Sequence, residues 1–121
     1  MSDILIIDDD DALRATVRKV LERDGHSVRE AADGAEGLEA IESDPPDLVI
    51  TDLFMPEKEG IETILELRES HPDLRILAVS GGGRVGPGGP LSDAEALGAD
   101  ASLAKPFDVE ELRGVVERLL A

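Results

Sequence analysis

The stretch Asp47-Leu48-Val49-Ile50-Thr51-Asp52-Leu53-Phe54-Met55-Pro56 decides the fold. Its apolar core, Leu48 to Ile50, is short and purely aliphatic, which is how a strand buried on both faces reads. The run closes on a carboxylate, Asp52, and the strand is over by Pro56, which has no N–H to give a sheet ladder. Strands covered on both faces belong to parallel sheets. In an open parallel sheet the crevice for ligands lies at the carboxyl ends of the strands. Asp52 therefore stands at the edge of the sheet where chemistry is done.

Outward from this stretch the pattern repeats. Ile4-Leu5-Ile6-Ile7 is a second buried strand, and it runs straight into Asp8-Asp9-Asp10-Asp11. Leu13, Val17, Val20 and Leu21 then recur at helical spacing, with Asp10 or Asp11 to cap the start and Gly25 to end the helix. His26 to Ala32 is more polar and reads as an edge strand with one solvated face. Asp33-Gly34-Ala35-Glu36 is a capping box that opens a short helix through Ile41 and Glu42. Pro45-Pro46 forces an extended entry into the central strand.

Beyond Pro56, a helix over about Lys58 to Ser70 is expected to bury Ile61, Ile64 and Leu65, and Leu74 to Ser80 to form the fourth strand. Gly81 to Pro90 holds six Gly and two Pro and reads as a loop. Ser92-Asp93-Ala94-Glu95 is a further capping box, with Gly98 cutting its helix short. Asp100 to Ala104 is the last strand, and Asp108 to Glu111 caps a final helix burying Val109, Leu112, Val116 and Leu119. Five strands alternating with five helices predict one α/β domain over residues 1–121, a doubly wound parallel sheet.

Composition limits what such a domain does. With 12 Lys plus Arg against 28 Asp plus Glu, the 121-residue chain carries a net charge of −16. That surface repels phosphate backbones and anionic lipid, so neither nucleic acid nor membrane is an expected partner. There is no Cys, which excludes disulfides and thiolate metal sites and fits a cytoplasmic location. Phe54 and Phe107 are the whole aromatic content, too little for a stacking platform. Both His26 and His71 read as surface residues. Gly81-Gly82-Gly83 lacks the Gly-Lys-Ser/Thr that a phosphate loop needs.

The polar residues at the strand ends form an inventory: Asp8 and Asp9, Asp52, Ser80 and Lys105. If the first, third, fourth and fifth strands are neighbours, these side chains converge. Three carboxylates in one crevice repel one another unless a hard cation neutralises them, and Mg²⁺ (or Mn²⁺) takes a few carboxylate oxygens and completes its shell with water and phosphate. A hydroxyl and an ammonium would hold the other oxygens of a phosphoryl group. A carboxylate is itself a competent nucleophile, giving an acyl phosphate. Asp10 and Asp11 are explained by helix capping alone.

Asp8-Asp9, Asp52-Leu53-Phe54-Met55-Pro56 with Gly60, Ser80 at the end of a strand, and Lys105-Pro106-Phe107 resemble the receiver domains of two-component response regulators. The resemblance covers the whole chain. It implies a flavodoxin-like sheet of order 2-1-3-4-5 and Asp52 as phosphoacceptor. It implies Mg²⁺ held by Asp9, Asp52 and the backbone carbonyl of Phe54, and by Asp8 through water. Ser80 and Lys105 would bind phosphoryl oxygens, with the Lys105–Pro106 bond cis. The implied partners are a histidine kinase or histidine phosphotransfer protein and a downstream protein target. That target would dock on the face made by the Ser92 helix, the last strand and the final helix. Since no effector domain follows Ala121, the chain reads as a stand-alone receiver, an enzyme only in its own Mg²⁺-dependent phosphorylation and dephosphorylation.

Two alternatives stay open: a small haloacid-dehalogenase-like phosphatase with Asp8 as nucleophile and Asp10 as acid/base, and a receiver-like scaffold that is never phosphorylated. There are also departures from the family pattern. Ser102 stands where receivers usually carry a bulky or aromatic switch residue, and the chain has no Tyr. Phe54 and Gly82 stand where polar groups help place the hydrolytic water, so a long-lived phosphoryl group is expected. The glycine-rich Gly81–Pro90 loop is expected to carry the switch by ordering and disordering.

Overall fold

The computed structural model describes residues 2–52, 60–80, 98–104 and 107–121. Five parallel strands, β1 (Asp3–Ile7), β2 (Ser27–Ala31), β3 (Leu48–Asp52), β4 (Arg75–Ser80) and β5 (Ala101–Ala104), form one sheet of order β2-β1-β3-β4-β5. Four helices are described: α1 (Asp11–Arg23), α2 (Gly34–Ser43), α3 (Gly60–Ser70) and α4 (Val109–Leu120). The expected helix from Ser92, and the Gly81–Pro90 loop, lie outside the described residues. No helix among the described residues is long and apolar enough to cross a membrane.

The period-two pleat sorts the aliphatic runs onto two faces. Leu5, Ile7, Val49, Ile76 and Ala78 pack with Ile41 of α2 and Ile64 and Leu67 of α3. Their neighbours in sequence, Ile4, Ile6, Leu48, Ile50, Leu77 and Val79, pack with Val17 and Leu21 of α1 and Leu112 and Val116 of α4. Both faces are therefore covered, which is why the central strands carry uninterrupted apolar residues instead of an alternation. Gly37 lets α2 lie close to the sheet, since a Cβ there would fall 2.4 Å from Ile7 Cδ1.

Helix starts follow the sequence signals. Asp10 caps α1 by accepting from the Leu13 N–H, Asp33 caps α2 by accepting from the Glu36 N–H, and Asp108 with Glu111 makes a reciprocal capping box on α4. Gly25 takes a positive φ of 93° just past α1, the left-handed conformation expected of a helix-ending glycine.

Three packing expectations are corrected. Leu65 is 44% exposed, and Leu67 takes the core position, because Ile64 and Leu67 are three apart on one helix face while Leu65 is turned away. Val109 is also 44% exposed; as the first residue of α4 it borders a shallow surface groove with Val20 and Arg113. Both His26 and His71 are half-buried instead of lying on the surface.

Candidate functional site

Register brings the strand-end carboxylates together. Ile7 pairs with Thr51 across β1 and β3, so Asp8 and Asp52 leave their strands in step. Counted by twos from Ile6 and Ile50, both belong to the face covered by α1 and α4. Asp8 is 3% and Asp52 6% exposed, whereas Asp9 is exposed. One carboxylate oxygen from each of Asp8, Asp9 and Asp52 lies within 4.8 Å of the others. Carboxylates taken from water are tolerated when something of opposite charge or a donor meets them. Three acidic oxygens at this separation fit a hard divalent cation, with the exposed Asp9 facing the side open to water.

Around the pocket, the chain is braced by hydrogen bonds. Asp8 Oδ1 accepts from the Asp10 N–H at 2.9 Å, and Asp10 Oδ1 accepts from the Leu13 N–H at 3.1 Å. Arg14, one turn into α1, donates through Nη1 to the Asp8 carbonyl at 2.5 Å and through Nε to Glu30 Oε1 at 3.1 Å. Its Nη2 donates to Asp11. Glu30 Oε2 accepts in turn from Arg18 Nη1 at 3.0 Å. The Arg18 hydrogen bond, working against partial burial and helped by Arg14, holds the Glu30 carboxyl below the usual carboxylate range. Sequence reading missed Arg14 and Glu30. Their pairing joins the first helix to the edge strand, and no spacing within either segment signals it.

The remaining members of the inventory are reached only in part. Ser80 ends β4 and pairs with Ala104 of β5, while Asp52 pairs with Val79. Ser80 thus lies one residue further along than the partner of the central aspartate, and Ala104 immediately precedes Lys105 in the chain. Phe54, Lys105 and Pro106 lie outside the described residues, so the expected carbonyl ligand, the ammonium and the cis bond belong to the sequence argument alone. Ser102 is described on β5, half-buried, at Ala78's level in the ladder.

Fold and site together define a class: a doubly wound parallel α/β domain with a three-carboxylate pocket at the carboxyl edge of its sheet. The chain belongs to the response regulator receiver domain family, whose model matches residues 4–117. It is 42% identical over 117 residues to the response regulator MprA of Mycolicibacterium vanbaalenii, covering 97% of this chain and 49% of that one. Among solved structures it is similar to the receiver domain of NtrX from Brucella abortus, with a TM-score of 0.91 at 32% identity over 98% of each chain. It is also similar to the Vibrio cholerae chemotaxis protein CheY4, with a TM-score of 0.89 at 30% identity over 99% of each chain. The chain spans about half the length of the curated relatives it matches.

Proposed function

We propose that Asp52 accepts a phosphoryl group in a Mg²⁺-dependent reaction and that the domain signals through a phosphorylation-dependent protein contact. The observation that carries this reading is the convergence of Asp8, Asp9 and Asp52 within 4.8 Å at the strand ends. An oxygen of Asp52 attacks phosphorus, an O–P bond forms, and the bond to the donor breaks. With a phosphohistidine donor, from a histidine kinase or phosphotransfer protein, the imidazole nitrogen leaves and is protonated. Bound Mg²⁺ supplies charge neutralisation between the carboxylates and the incoming phosphoryl oxygens. By the receiver resemblance, Asp9, Asp52 and the Phe54 carbonyl would hold it and Asp8 would meet it through water. Ser80 and Lys105 take the remaining phosphoryl oxygens; the level at which Ser80 and Ala104 pair supports that pairing of roles.

The phosphatase alternative needs Asp10 as a mobile acid/base. Its carboxylate is instead engaged as the α1 cap, accepting from the Leu13 N–H, which favours the receiver reading. The acidity of this domain argues against a nucleic-acid surface on residues 1–121; it says nothing of the other half of the longer relatives' length. Acetyl phosphate with Mg²⁺, followed by mass mapping, tests the proposal. One phosphoryl group should map to Asp52 and vanish in Asp52→Asn. Label on Asp8 with rapid turnover of a generic phosphate ester would replace this reading with the phosphatase. No label under any condition would leave the unphosphorylated scaffold.

A further inference from the structure

We propose that Arg14 is a positioning residue of the acidic pocket: its guanidinium fixes the turn that carries Asp8 and Asp9, and so sets the spacing of the metal-binding carboxylates. The inference rests on the metal-dependent reading above.

The ladder between β1 and β2 ends where the Asp8 N–H donates to the Ala31 carbonyl at 3.1 Å. In an extended residue N–H and C=O face the same edge, so the Asp8 carbonyl looks for its partner where β2 has run out. Arg14 Nη1 supplies that partner at 2.5 Å. The following turn is closed by the Asp8 and Asp10 side chains, bonded to the N–H groups of Asp10 and Leu13. Asp9 is therefore the middle residue of a turn tied at its start by Arg14 and at its end by the helix cap.

The guanidinium has no slack. Each of its three nitrogens has its own acceptor: Glu30 for Nε, the Asp8 carbonyl for Nη1 and Asp11 for Nη2. Arg14 is 13% exposed, and Glu30 is itself gripped from the other side by Arg18. The planar fork fixes where the carbonyl sits relative to β2. Asp11 and Glu30 offset the guanidinium charge, so its effect on a nearby cation is geometric more than repulsive. Mg²⁺ demands near-octahedral ligands, which makes its affinity sensitive to small displacements of Asp8 and Asp9. A lysine delivers the charge but not the three-way fork.

The test compares the full chain with Arg14→Met, Arg14→Lys and Glu30→Gln by two measurements. One is Mg²⁺ affinity by calorimetry, well below the unfolding temperature; the other is amide exchange over residues 8–13 without Mg²⁺. Arg14→Met should weaken Mg²⁺ binding roughly tenfold, as loss of outer-shell support does elsewhere, and speed exchange at Asp10 and Leu13. Arg14→Lys should fall between it and the wild type. Glu30→Gln should shift both readouts the same way by less, and the latter two carry the comparison if Arg14→Met does not fold. A purely structural role would lower the melting temperature and leave the affinity of the folded protein unchanged. Wild-type affinity in folded Arg14→Met, with unchanged exchange over residues 8–13, overturns the proposal. If the wild type itself takes up no Mg²⁺, the metal reading fails, and local exchange alone decides whether Arg14 sets the turn.

Discussion

The two ends of the sheet use aspartate in opposite ways. At the carboxyl ends of the strands, Asp8, Asp9 and Asp52 bring oxygens within 4.8 Å of one another. At the amino ends, Asp3, Asp47 and Asp100 meet arginine or backbone N–H. Asp3 takes Arg29 Nη2 at 3.0 Å and gives its own N–H to Asp47 Oδ2 at 2.8 Å. Asp100 Oδ2 accepts from both Arg68 Nη2 at 2.9 Å and the Ile76 N–H at 2.8 Å. Carboxylates matched singly with arginine tie elements together, while carboxylates gathered beside one another, Asp8 also accepting from the Asp10 N–H, form a site suited to a divalent cation. The lower end should therefore answer to mutation in stability, and the upper end in ligand response.

The largest effect should come from Arg68, the hub of the lower end. Its guanidinium reaches the carbonyls of Gly98, Pro72 and Leu74 as well as Asp100, joining α3 to the starts of β4 and β5. Arg68→Ala removes every one of these charge-assisted bonds and should cost about 3 kcal/mol in urea unfolding, taking single bonds of this kind at about 1.5–3 kcal/mol with water repaying part. The stabilisation gained from Mg²⁺ should survive intact. Loss of the Mg²⁺ response with little loss of stability would mean that the two ends are not separable.

Asp9 reports on the other end. At tenfold excess over its dissociation constant Mg²⁺ should stabilise the wild type by about 1.4 kcal/mol, raising the melting temperature by a few degrees. Asp9→Asn should lose most of that shift. Without Mg²⁺ the same variant should be at least as stable as the wild type, because a like charge has left the cluster. Equal Mg²⁺ stabilisation in both proteins would remove Asp9 from the ligand set.

How much of this was legible before folding depends on whether a feature is local. Leu48 to Ile50 and Ile4 to Ile7 reveal themselves because burial on both faces demands unbroken aliphatic runs, and Asp8, Asp9 and Asp52 follow as the first acidic residues beyond those runs. Caps were legible too, since Asp10, Asp33 and Asp108 act on N–H groups three residues away. Burial within a helix was less so. Leu65 and Leu67 differ only in which way the helix is rolled against the sheet, and that roll is set by neighbours. Arg14 with Glu30, and Arg68 with Gly98, were illegible because each pair joins segments whose proximity exists only once the sheet order does.

The smallest predicted effect is a pH dependence at the junction of the two regimes, where Glu30 braces the upper pocket by the pairing used at the lower end. Arg18, with Arg14, holds the Glu30 carboxyl below its ordinary value, while partial burial pushes the other way. A carboxyl depressed in the folded state binds its proton less readily there than in the unfolded chain. Its contribution is therefore complete above the unfolded value near 4.5 and fades as pH falls through the lower folded value. The side chain is 27% exposed and Arg18 is 44% exposed, so solvent screens the pair and the contribution should be under about 1 kcal/mol. Unfolding free energies from pH 7 down to pH 3, in wild type and Glu30→Gln, isolate it. The difference between the two proteins should be steady from pH 7 to about pH 5 and shrink below that. A difference that stays constant to pH 3 would show that the Glu30 charge does not stabilise the junction, leaving its role to shape and hydrogen bonding that glutamine reproduces.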